Sequence, residues 1–462
     1  MSDPAESAPE PAAADGAVRA LAAASPCDVV LPDDPRWADL SGAWNVHVAQ
    51  QPAAVVLADR VEDVRATVRA AADGGLPVSV QPNGHGATEA LSGTVLIRPV
   101  GLRGVSIDRA ARRARVEAGV KWQQLLDALD GTGLMALSGS TGDVSVVGYH
   151  LGGGLPWFGR AYGTAAEYVR RIELVTPDGG FREVTAETDP ELLWALCGAG
   201  GEFGVVTAIE IELVDQPPIV GGALMWPAEH TAEVLRAYAE TTRSAPRELS
   251  LWIWLTTFPP FDPIPKELQG RSFANVNLTF LGERAAAEEA LRPLRAVPGL
   301  EVDTVADVPL ERIGDVAGEP TDPMPAMDWS HYIADLDDDF QARLLKANFP
   351  GGGSPLVACI RHLGGALSEP GSTAASGVPH DYLLLAFGFP FAPADEDAIR
   401  AQWGVLDDAL GAHLTGRTHP NMLGDDPRPD RAFTADTLDR LRRIKRERDP
   451  RGAVRGNRPL RP

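Results

Sequence analysis

Residues Ala53–Gly86 read AAVVLADRVEDVRATVRAAADGGLPVSVQPNGHG. The apolar run Ala53–Ala58 predicts a strand, and the apolar residues at helical spacing that follow it predict a helix ending at a diglycine. A second strand is predicted at Val78–Gln81, directly before the loop that carries His85. The stretch therefore predicts strand, helix and strand, followed by a glycine-rich turn in which the backbone can approach a ligand closely.

The length and charge of the whole chain limit what it can be. With 462 residues it is too long for one hydrophobic core, so two or three domains are expected. Its 44% apolar and 23% charged residues are typical of a folded, soluble protein. The formal net charge of −22 would repel phosphate backbones and anionic lipid, so we expect neither nucleic acid nor a membrane as a partner.

Cysteine usage and the N-terminus indicate a cytoplasmic protein. Cys27, Cys197 and Cys359 lie far apart without metal-ligand spacing, so neither a disulfide framework nor a metal site is expected. The acidic start MSDPAESAPEPAAADGA lacks the basic and apolar regions of a secretory signal. Its Ala, Pro and Glu bias predicts a disordered tail over residues 1–28. No run of about 18 apolar residues could span a bilayer.

The rest of the chain divides by composition. Residues 29–216 continue with strand patterns, helices and a hairpin around Pro177–Gly180. In residues 217–414 aromatic and proline residues gather between amphipathic helices, which predicts a second α+β unit. Residues 415–462 return to one helix and an extended tail.

Glycine-rich stretches recur near the ends of predicted strands and helices. They lie at Gly84–Gly86, Gly152–Gly154, Gly198–Gly204 and Gly351–Gly353. The first three suggest backbone that lines one large ligand. None has the pattern of a P-loop or of a Rossmann dinucleotide site. On spacing alone, a loop histidine such as His85 is more often structural than functional.

Five motifs occur in a fixed order along the chain. They are NGH (Asn83–His85), SVVGYHLGGGLPWFGRAYG (Ser145–Gly163), ELLWALCGAGGEFGVVT (Glu191–Thr207), HLGGA (His362–Ala366) and KRERDPRGAVRGN (Lys445–Asn457). Taken together, from about Leu31 to Pro459, the chain resembles the FAD-linked oxidases of the berberine-bridge-enzyme type, within the vanillyl-alcohol-oxidase superfamily.

The resemblance implies an α+β fold with a bipartite FAD-binding domain of the PCMH type. Residues 29–216 and 415–462 would hold FAD, and residues 217–414 would form a substrate domain whose antiparallel sheet roofs the flavin. His85 would be joined covalently to the 8α carbon of the flavin, which retains the cofactor and raises its potential. The other residues implied for FAD are Asn83, Gly84, Gly86, Ala87, Thr141, Gly142, Ser145, Gly148, Gly152, Gly153, Gly154, Gly201, Gly204, Val206 and Asn457.

Four positions depart from the family's pattern. Thr141 stands where many members carry a cysteine that forms a second covalent bond to the flavin, so we expect a single link through His85. Gln81 and Cys197 replace two arginines, and Asn83 replaces a glycine. Two positive charges near the flavin are therefore expected to be missing.

The resemblance also implies catalytic residues. The family often carries a tyrosine two residues before an asparagine near the C-terminus, and the tyrosine removes a substrate proton. Here His419 and Asn421 occupy that place, and a neutral imidazole is a competent base at about pH 7. A surface histidine is the alternative. Tyr149, beside the glycine run, is expected in the cavity. The candidate wall residues of the roof, for which core packing is the alternative, are Trp252, Trp254, Tyr332, Arg361 and His362.

The implied function is that of an FAD-dependent oxidase. The base would take a hydroxyl or amine proton, hydride would pass from the adjacent carbon to the flavin, and O2 would be reduced to H2O2. The partners would be O2 and a small alcohol, amine or secondary-metabolite substrate, and the protein would be a monomer or homodimer. One alternative is an oxidative cyclase or dehydrogenase in natural-product biosynthesis. Another is a flavin-binding protein that has lost catalysis, because Gln81, Cys197 and the missing tyrosine all depart from the pattern.

Overall fold

A computed structural model describes residues 11–258, 260, 264–348 and 356–460, and it has the expected α+β fold. The first ten residues and the glycine run Gly351–Gly353 lie outside the described residues. In the part of the chain that is described, no helix is long and apolar enough to cross a membrane.

The first unit reaches Asp215 and consists of a four-stranded, a five-stranded and a two-stranded sheet with helices packed against them. In chain order its elements are α1 (Pro11–Ala24), β1 (Asp28–Val30), α2 (Trp37–Ser41), β2 (Ala54–Leu57), α3 (Val61–Asp73), β3 (Val78–Val80), β4 (Val95–Arg98), β5 (Val105–Asp108), β6 (Arg113–Glu117), α4 (Trp122–Leu129), β7 (Leu134–Met135), α5 (Val146–Leu151), α6 (Gly159–Tyr162), β8 (Val169–Val175), β9 (Phe181–Thr185), α7 (Pro190–Ala199), β10 (Val205–Glu212) and β11 (Val214–Asp215). The strand orders are β1-β2-β4-β3 and β5-β6-β10-β8-β9, and β7 pairs with β11.

The predicted strand, helix and strand of Ala53–Gly86 are confirmed as β2, α3 and β3. Strands β2 and β3 both pair in parallel with β4, which lies between them. Parallel strands need a crossover connection, and α3 provides it. Its residues Val64 and Val68 are buried against the sheet. His85 therefore follows the carboxyl end of a buried strand.

The predicted hairpin around Pro177–Gly180 is confirmed by β8 and β9, which pair antiparallel with Val175 opposite Phe181. Strand β10, which follows the third glycine-rich stretch, lies between β6 and β8. That stretch is therefore held at the start of a central strand.

The prediction of a disordered tail over residues 1–28 is wrong for helix α1. Val18 and Leu21 of this helix are buried in the same apolar cluster as Val64 of α3. The two residues lie three apart, so they share one helix face. Burial of that face against α3 favours a helix in a segment whose Ala, Pro and Glu bias had predicted disorder.

The second unit is an eight-stranded sheet with its own helices, and we call this sheet the roof sheet. In chain order the elements are β12 (Ile219–Pro227), α8 (Thr231–Ser244), β13 (Leu249–Thr257), β14 (Ser272–Leu281), α9 (Arg284–Ala290), α10 (Arg292–Arg295), β15 (Val302–Asp303), β16 (Ala306–Asp307), β17 (Met327–Ile333), α11 (Asp338–Asn348), β18 (Leu356–His362), β19 (Tyr382–Gly388) and α12 (Pro393–Leu410). The strand order is β15-β12-β14-β13-β18-β19-β17, with β16 beside β12, and all pairs are antiparallel.

The two faces of the roof sheet pack against different cores. Side chains alternate along each strand, so Ile253 and Ile360 point to one face and Trp252 and Cys359 to the other. The first pair belongs to the core that the sheet shares with α8, α11 and α12. The second pair belongs to the core of the first unit. The inner face of the sheet therefore covers the first unit.

The last segment returns to the first unit through helix α13 (Ala435–Arg448) and an extended tail. The backbone N–H of Val78 donates to Ala453 at 2.8 Å, and the N–H of Arg455 donates to the carbonyl of Val78 at 2.8 Å. The tail thus continues the first sheet beside β3.

A buried charge cluster fixes this tail. The Lys445 ammonium is buried and donates to the Asp449 carboxylate at 2.9 Å and to the Val454 carbonyl at 2.7 Å. The buried Glu202 carboxylate accepts from the backbone N–H of Gly456 at 2.7 Å. Because Glu202 lies within the third glycine-rich stretch, the cluster ties the tail to that stretch.

We expect Lys445→Met to destabilise the protein by about 3–5 kcal/mol, because two carboxylates would stay buried without their cation. The measurement is the free energy of unfolding in urea. Arg446→Met, at the exposed neighbouring position, is the matched control and should change it by less than about 0.5 kcal/mol. Equal effects of the two substitutions would contradict the role given to the cluster.

Candidate functional site

A cavity of about 510 Å³ lies between the glycine-rich loops and the inner face of the roof sheet. Its volume falls in the range of about 300–1,000 Å³ that cofactor and ligand pockets occupy. The loop residues on its wall are Gly84, His85, Gly86, Gly148, Gly152, Gly198, Gly200 and Gly201. The roof residues on its wall include Trp254, Asp328, Arg361, Leu385 and Phe387.

The His85 ring stacks on a neighbouring ring, and one of its two nitrogens has no hydrogen-bond partner among the described residues. It stacks on the indole of Trp44 with ring centroids 4.2 Å apart. Its Nδ1 lies 3.1 Å from the Asn83 side-chain nitrogen. Its Nε2 is buried and has no hydrogen-bond partner among the described residues. Burial lowers the pKa of His85 to about 4, so the ring is neutral near pH 7.

Asn83 is oriented by a second residue of the cavity rim. Its amide nitrogen donates to the Asp143 carbonyl at 2.7 Å and to the Asp143 carboxylate at 2.8 Å. Lys121 forms an ion pair with the same carboxylate. An amide nitrogen cannot accept a hydrogen bond, so it is the donor toward His85 Nδ1, and its two hydrogens are shared among that atom and the two Asp143 oxygens. Asn83, which replaces a glycine of the family's pattern, thus makes a specific contact with His85.

The structure brings together most, but not all, of the residues expected to bind the cofactor. Those that line the cavity are Asn83, Gly84, His85, Gly86, Thr141, Ser145, Gly148, Gly152, Gly201, Val206 and Asn457. Those that do not line it are Ala87, Gly142, Gly153, Gly154 and Gly204. The glycines of the second set serve close packing. Gly153, for example, has φ +102°, and a Cβ there would lie 2.7 Å from the Cβ of Ala375.

Cys197 lies behind the cavity wall. Its thiol is buried and free, and burial raises its pKa to about 12. Gln81, which like Cys197 replaces an arginine of the family's pattern, lines the cavity. It donates to the Gln50 side chain at 2.9 Å. Neither residue brings a charge to the cavity.

His419 lies outside the cavity lining, next to the glycine run. Its Nδ1 accepts from the backbone N–H of Asn421 at 3.3 Å, which leaves the hydrogen of the neutral ring on Nε2. Nε2 packs against Gly153 and has no partner among the described residues. Burial, assisted by the Arg361 charge, lowers the pKa of His419 to about 3. The geometry therefore does not favour the predicted role of His419 as a base.

Asn421 and Tyr149 both line the cavity. The Asn421 side chain accepts from Gly154 N–H at 2.7 Å and donates to the Tyr149 carbonyl at 3.3 Å, so it ties the C-terminal segment to the glycine run. The Tyr149 hydroxyl is buried without a hydrogen-bond partner among the described residues. Burial raises the pKa of Tyr149 well above its usual value, so it is a donor and not a base at neutral pH.

The five predicted wall residues of the roof have different roles. Trp254 and Arg361 line the cavity. Trp252 and Tyr332 are buried in the core below the sheet. His362 lies 2.9 Å from the buried Arg160 guanidinium, so it has a structural contact. Core packing, the alternative stated for these residues, therefore applies to three of them.

Asp328 is a functional candidate that the sequence patterns did not indicate. It lies on β17 and lines the cavity. Burial, together with the charge of Asp425, raises its pKa to about 7, although Arg458 opposes the shift. An acid with a pKa of about 7 in a cavity is suited to proton transfer at neutral pH.

Comparison with known proteins identifies the cofactor domain. Residues 52–185 match the family model described as an FAD binding domain. The chain is 35% identical over 205 residues to the FAD-dependent monooxygenase FUP4 of Fusarium proliferatum, which covers 43% of this chain and 40% of that protein. It is 31% identical over 202 residues to (R)-6-hydroxynicotine oxidase of Paenarthrobacter nicotinovorans, which covers 43% of this chain and 44% of that protein. The matched part thus spans less than half the length of these relatives.

Similarity in structure extends over nearly the whole chain. The solved structure of Physcomitrella patens BBE-like 1, a berberine-bridge-enzyme-like protein, superposes with a TM-score of 0.83. The superposition covers 96% of this chain and 99% of that one at 18% sequence identity. At this level of identity the similarity establishes the fold alone.

Proposed function

The chain is an FAD-binding protein with the berberine-bridge-enzyme fold, and from this premise we propose that it is an FAD-dependent oxidase of a small molecule. One observation carries the proposal: a single cavity of cofactor size holds both an unpartnered histidine nitrogen, on His85, and an acid that ionises near neutral pH, Asp328. The similarity to (R)-6-hydroxynicotine oxidase supports an amine or alcohol as the group that is oxidised.

The described residues fit FAD. Gly201 lines the cavity, and a Cβ at this position would have only one atom nearby, Val80 Cγ1 at 3.8 Å, so the backbone is open to a ligand. Asn457 also lines the cavity and accepts from Thr88 N–H at 2.9 Å, which fixes the tail on the wall. We propose that FAD is held by Asn83, Gly84, His85, Gly86, Thr141, Ser145, Gly148, Gly152, Gly201, Val206 and Asn457.

We place a single covalent link at Nε2 of His85. The Asn83 amide occupies Nδ1, so Nε2 is the nitrogen free to form a bond. The neutral ring carries its hydrogen on Nε2, and Asp143 Oδ2, 4.0 Å away, can accept that proton. The link would also replace one C–H bond of the 8α carbon, whose proton would be lost and whose two electrons would reduce the flavin until O2 reoxidises it to give H2O2. When bound, FAD supplies the two-electron chemistry, in which it accepts hydride from the substrate and returns the electrons to O2 as H2O2.

We propose that Asp328 accepts the proton that the substrate hydroxyl or amine loses. Near pH 7 a carboxyl group with a pKa of about 7 is partly ionised, so it can both take up and release a proton. Tyr149 is too weak an acid to serve as a phenolate base. In the neutral ring of His419 the hydrogen is on Nε2, and this nitrogen packs against Gly153. Of the three, Asp328 is therefore the group whose pKa and place in the cavity lining best suit a base.

We also propose that the protein works in the cytoplasm, as a monomer or homodimer. Cys27, Cys197 and Cys359 are free thiols. That is the state that a reducing compartment maintains.

The oxidase proposal predicts that photoreduced protein mixed with air reoxidises rapidly and releases an equimolar amount of H2O2. The measurement is the recovery of flavin absorbance, with peroxide assayed in parallel. An artificial electron acceptor serves as the control. If the acceptor reoxidises the flavin but air does not, the protein is a dehydrogenase or cyclase and not an oxidase.

A further inference from the structure

Arg361 is a buried cation on the inner face of the roof sheet. Its side chain is 6% exposed and lines the cavity. The register of β13 and β18 places it opposite Trp252, and its guanidinium carbon lies 3.8 Å from the Trp252 ring centroid. Trp252 stacks in turn on Trp157 at 3.6 Å. This aromatic stack fixes the guanidinium from one side.

The Arg361 charge has no close counter-charge. No carboxylate oxygen of the described residues lies nearer than Glu319 Oε1, which is 4.0 Å from Nη2 and beyond hydrogen-bond distance. Nε is buried and lacks a hydrogen-bond partner among the same residues. The neighbouring Cys359 is a neutral thiol, because burial raises its pKa to about 12. Since an unpaired buried charge is costly, the guanidinium is suited to an anionic group that enters the cavity.

We propose that Arg361 binds a carboxylate of the substrate, so that the preferred substrates are small carboxylic acids that also carry the oxidised alcohol or amine. The inference rests on the proposed function, because the substrate must share the cavity with FAD. The planar guanidinium matches a carboxylate with two parallel hydrogen bonds. Trp254, Leu385 and Phe387 form an apolar part of the same face, which suits an aromatic or aliphatic substrate body.

Tyr149 supports the same assignment. Tyr149 and Arg361 line the same cavity, and the positive charge of Arg361 opposes the rise that burial causes in the pKa of Tyr149. Tyr149 lines the cavity, and its buried hydroxyl has no partner among the described residues. It can therefore donate a further hydrogen bond to the same carboxylate.

The test is calorimetric titration of the flavin-loaded protein with benzoate and with benzamide, its neutral isostere. We expect the wild type to bind benzoate about tenfold or more tightly than benzamide. In Arg361→Met the affinity for benzoate should fall by about 10- to 100-fold, the range for hydrogen bonds to a charged group. The affinity for benzamide should change by less than about threefold, because it does not depend on the charge.

Three further variants make the test specific. Arg361→Lys keeps the charge but loses the planar fork, so benzoate affinity should be intermediate. Glu319→Gln removes the nearest competing carboxylate and should tighten benzoate binding by about two- to fivefold. Arg271→Met is the matched control, because Arg271 also stacks on an aromatic ring, Phe273 at 4.7 Å, but lies outside the cavity lining. It should leave both affinities unchanged.

Several results would overturn the inference. One is equal affinity of the wild type for benzoate and benzamide, and another is an equal loss of both in Arg361→Met. A changed flavin potential in Arg361→Met with an unchanged preference for benzoate would assign the residue to the flavin instead. Reoxidation by air, measured on the same preparation, separates this inference from the proposed function. Protein that is reoxidised but has no preference for benzoate contradicts only the role of Arg361, and protein with the preference but no reoxidation contradicts only the oxidase.

Discussion

After denaturation in acid, the yellow colour is expected to stay with the wild-type polypeptide and to leave that of His85→Ala completely. Unfolding destroys the cavity, so only a covalent bond can retain the cofactor. The expected difference is all or none, because Thr141 cannot form the second link that a cysteine would provide. The measurement is flavin absorbance in the precipitate and in the supernatant.

Two other variants define the attachment. Thr141→Ala is the matched control, since Thr141 lines the same cavity, and it should retain the colour. Asn83→Ala should retain less of it, because His85 Nδ1 would lose the amide that directs Nε2 toward the flavin. A flavin peptide from the wild type should be linked at Nε2. Bound colour in denatured His85→Ala would show that another residue forms the link.

The loop that carries His85 could be predicted because its signals are local. Apolar periodicity and a diglycine define β2, α3 and β3 within one short stretch, and the loop must follow them. Helix α1 was missed for the opposite reason. Its stability depends on burial of Val18 and Leu21 against α3, a contact that composition does not reveal.

The catalytic side of the cavity could not be predicted in the same way. Asn421 of the motif contacts the glycine run, but the direction of the His419 ring follows from its contact with Gly153, far away in sequence. Asp328 lies in no motif. Its pKa depends on burial under the roof sheet and on Asp425, which the C-terminal segment brings to it. Such properties arise from tertiary packing, which sequence patterns do not encode.

Asp328→Asn is expected to lower turnover by about 100-fold or more, the contribution typical of a positioned general base. The substitution keeps the shape of the side chain but removes its proton affinity. A base acts in its ionised form, so wild-type turnover should be low in acid, rise through about pH 7 and level off above it, as the pKa of about 7 requires. The measurement is H2O2 production against pH, with the best substrate from a panel of alcohols and amines.

Asp425→Asn provides the sharpest control for Asp328, because it leaves the base in place and changes only its environment. The Asp425 charge disfavours ionisation of Asp328, so its removal should lower the pKa of Asp328 and shift the rise in turnover to lower pH, with the plateau rate retained. His419→Ala should keep both the plateau and the midpoint, since its protonated nitrogen faces Gly153. A loss of about 100-fold in His419→Ala, with Asp328→Asn unaffected, would return the role of base to the histidine. The shift in the midpoint of the pH profile is decisive. If Asp328 had only a structural role, removal of the Asp425 charge would not move the pH at which turnover rises.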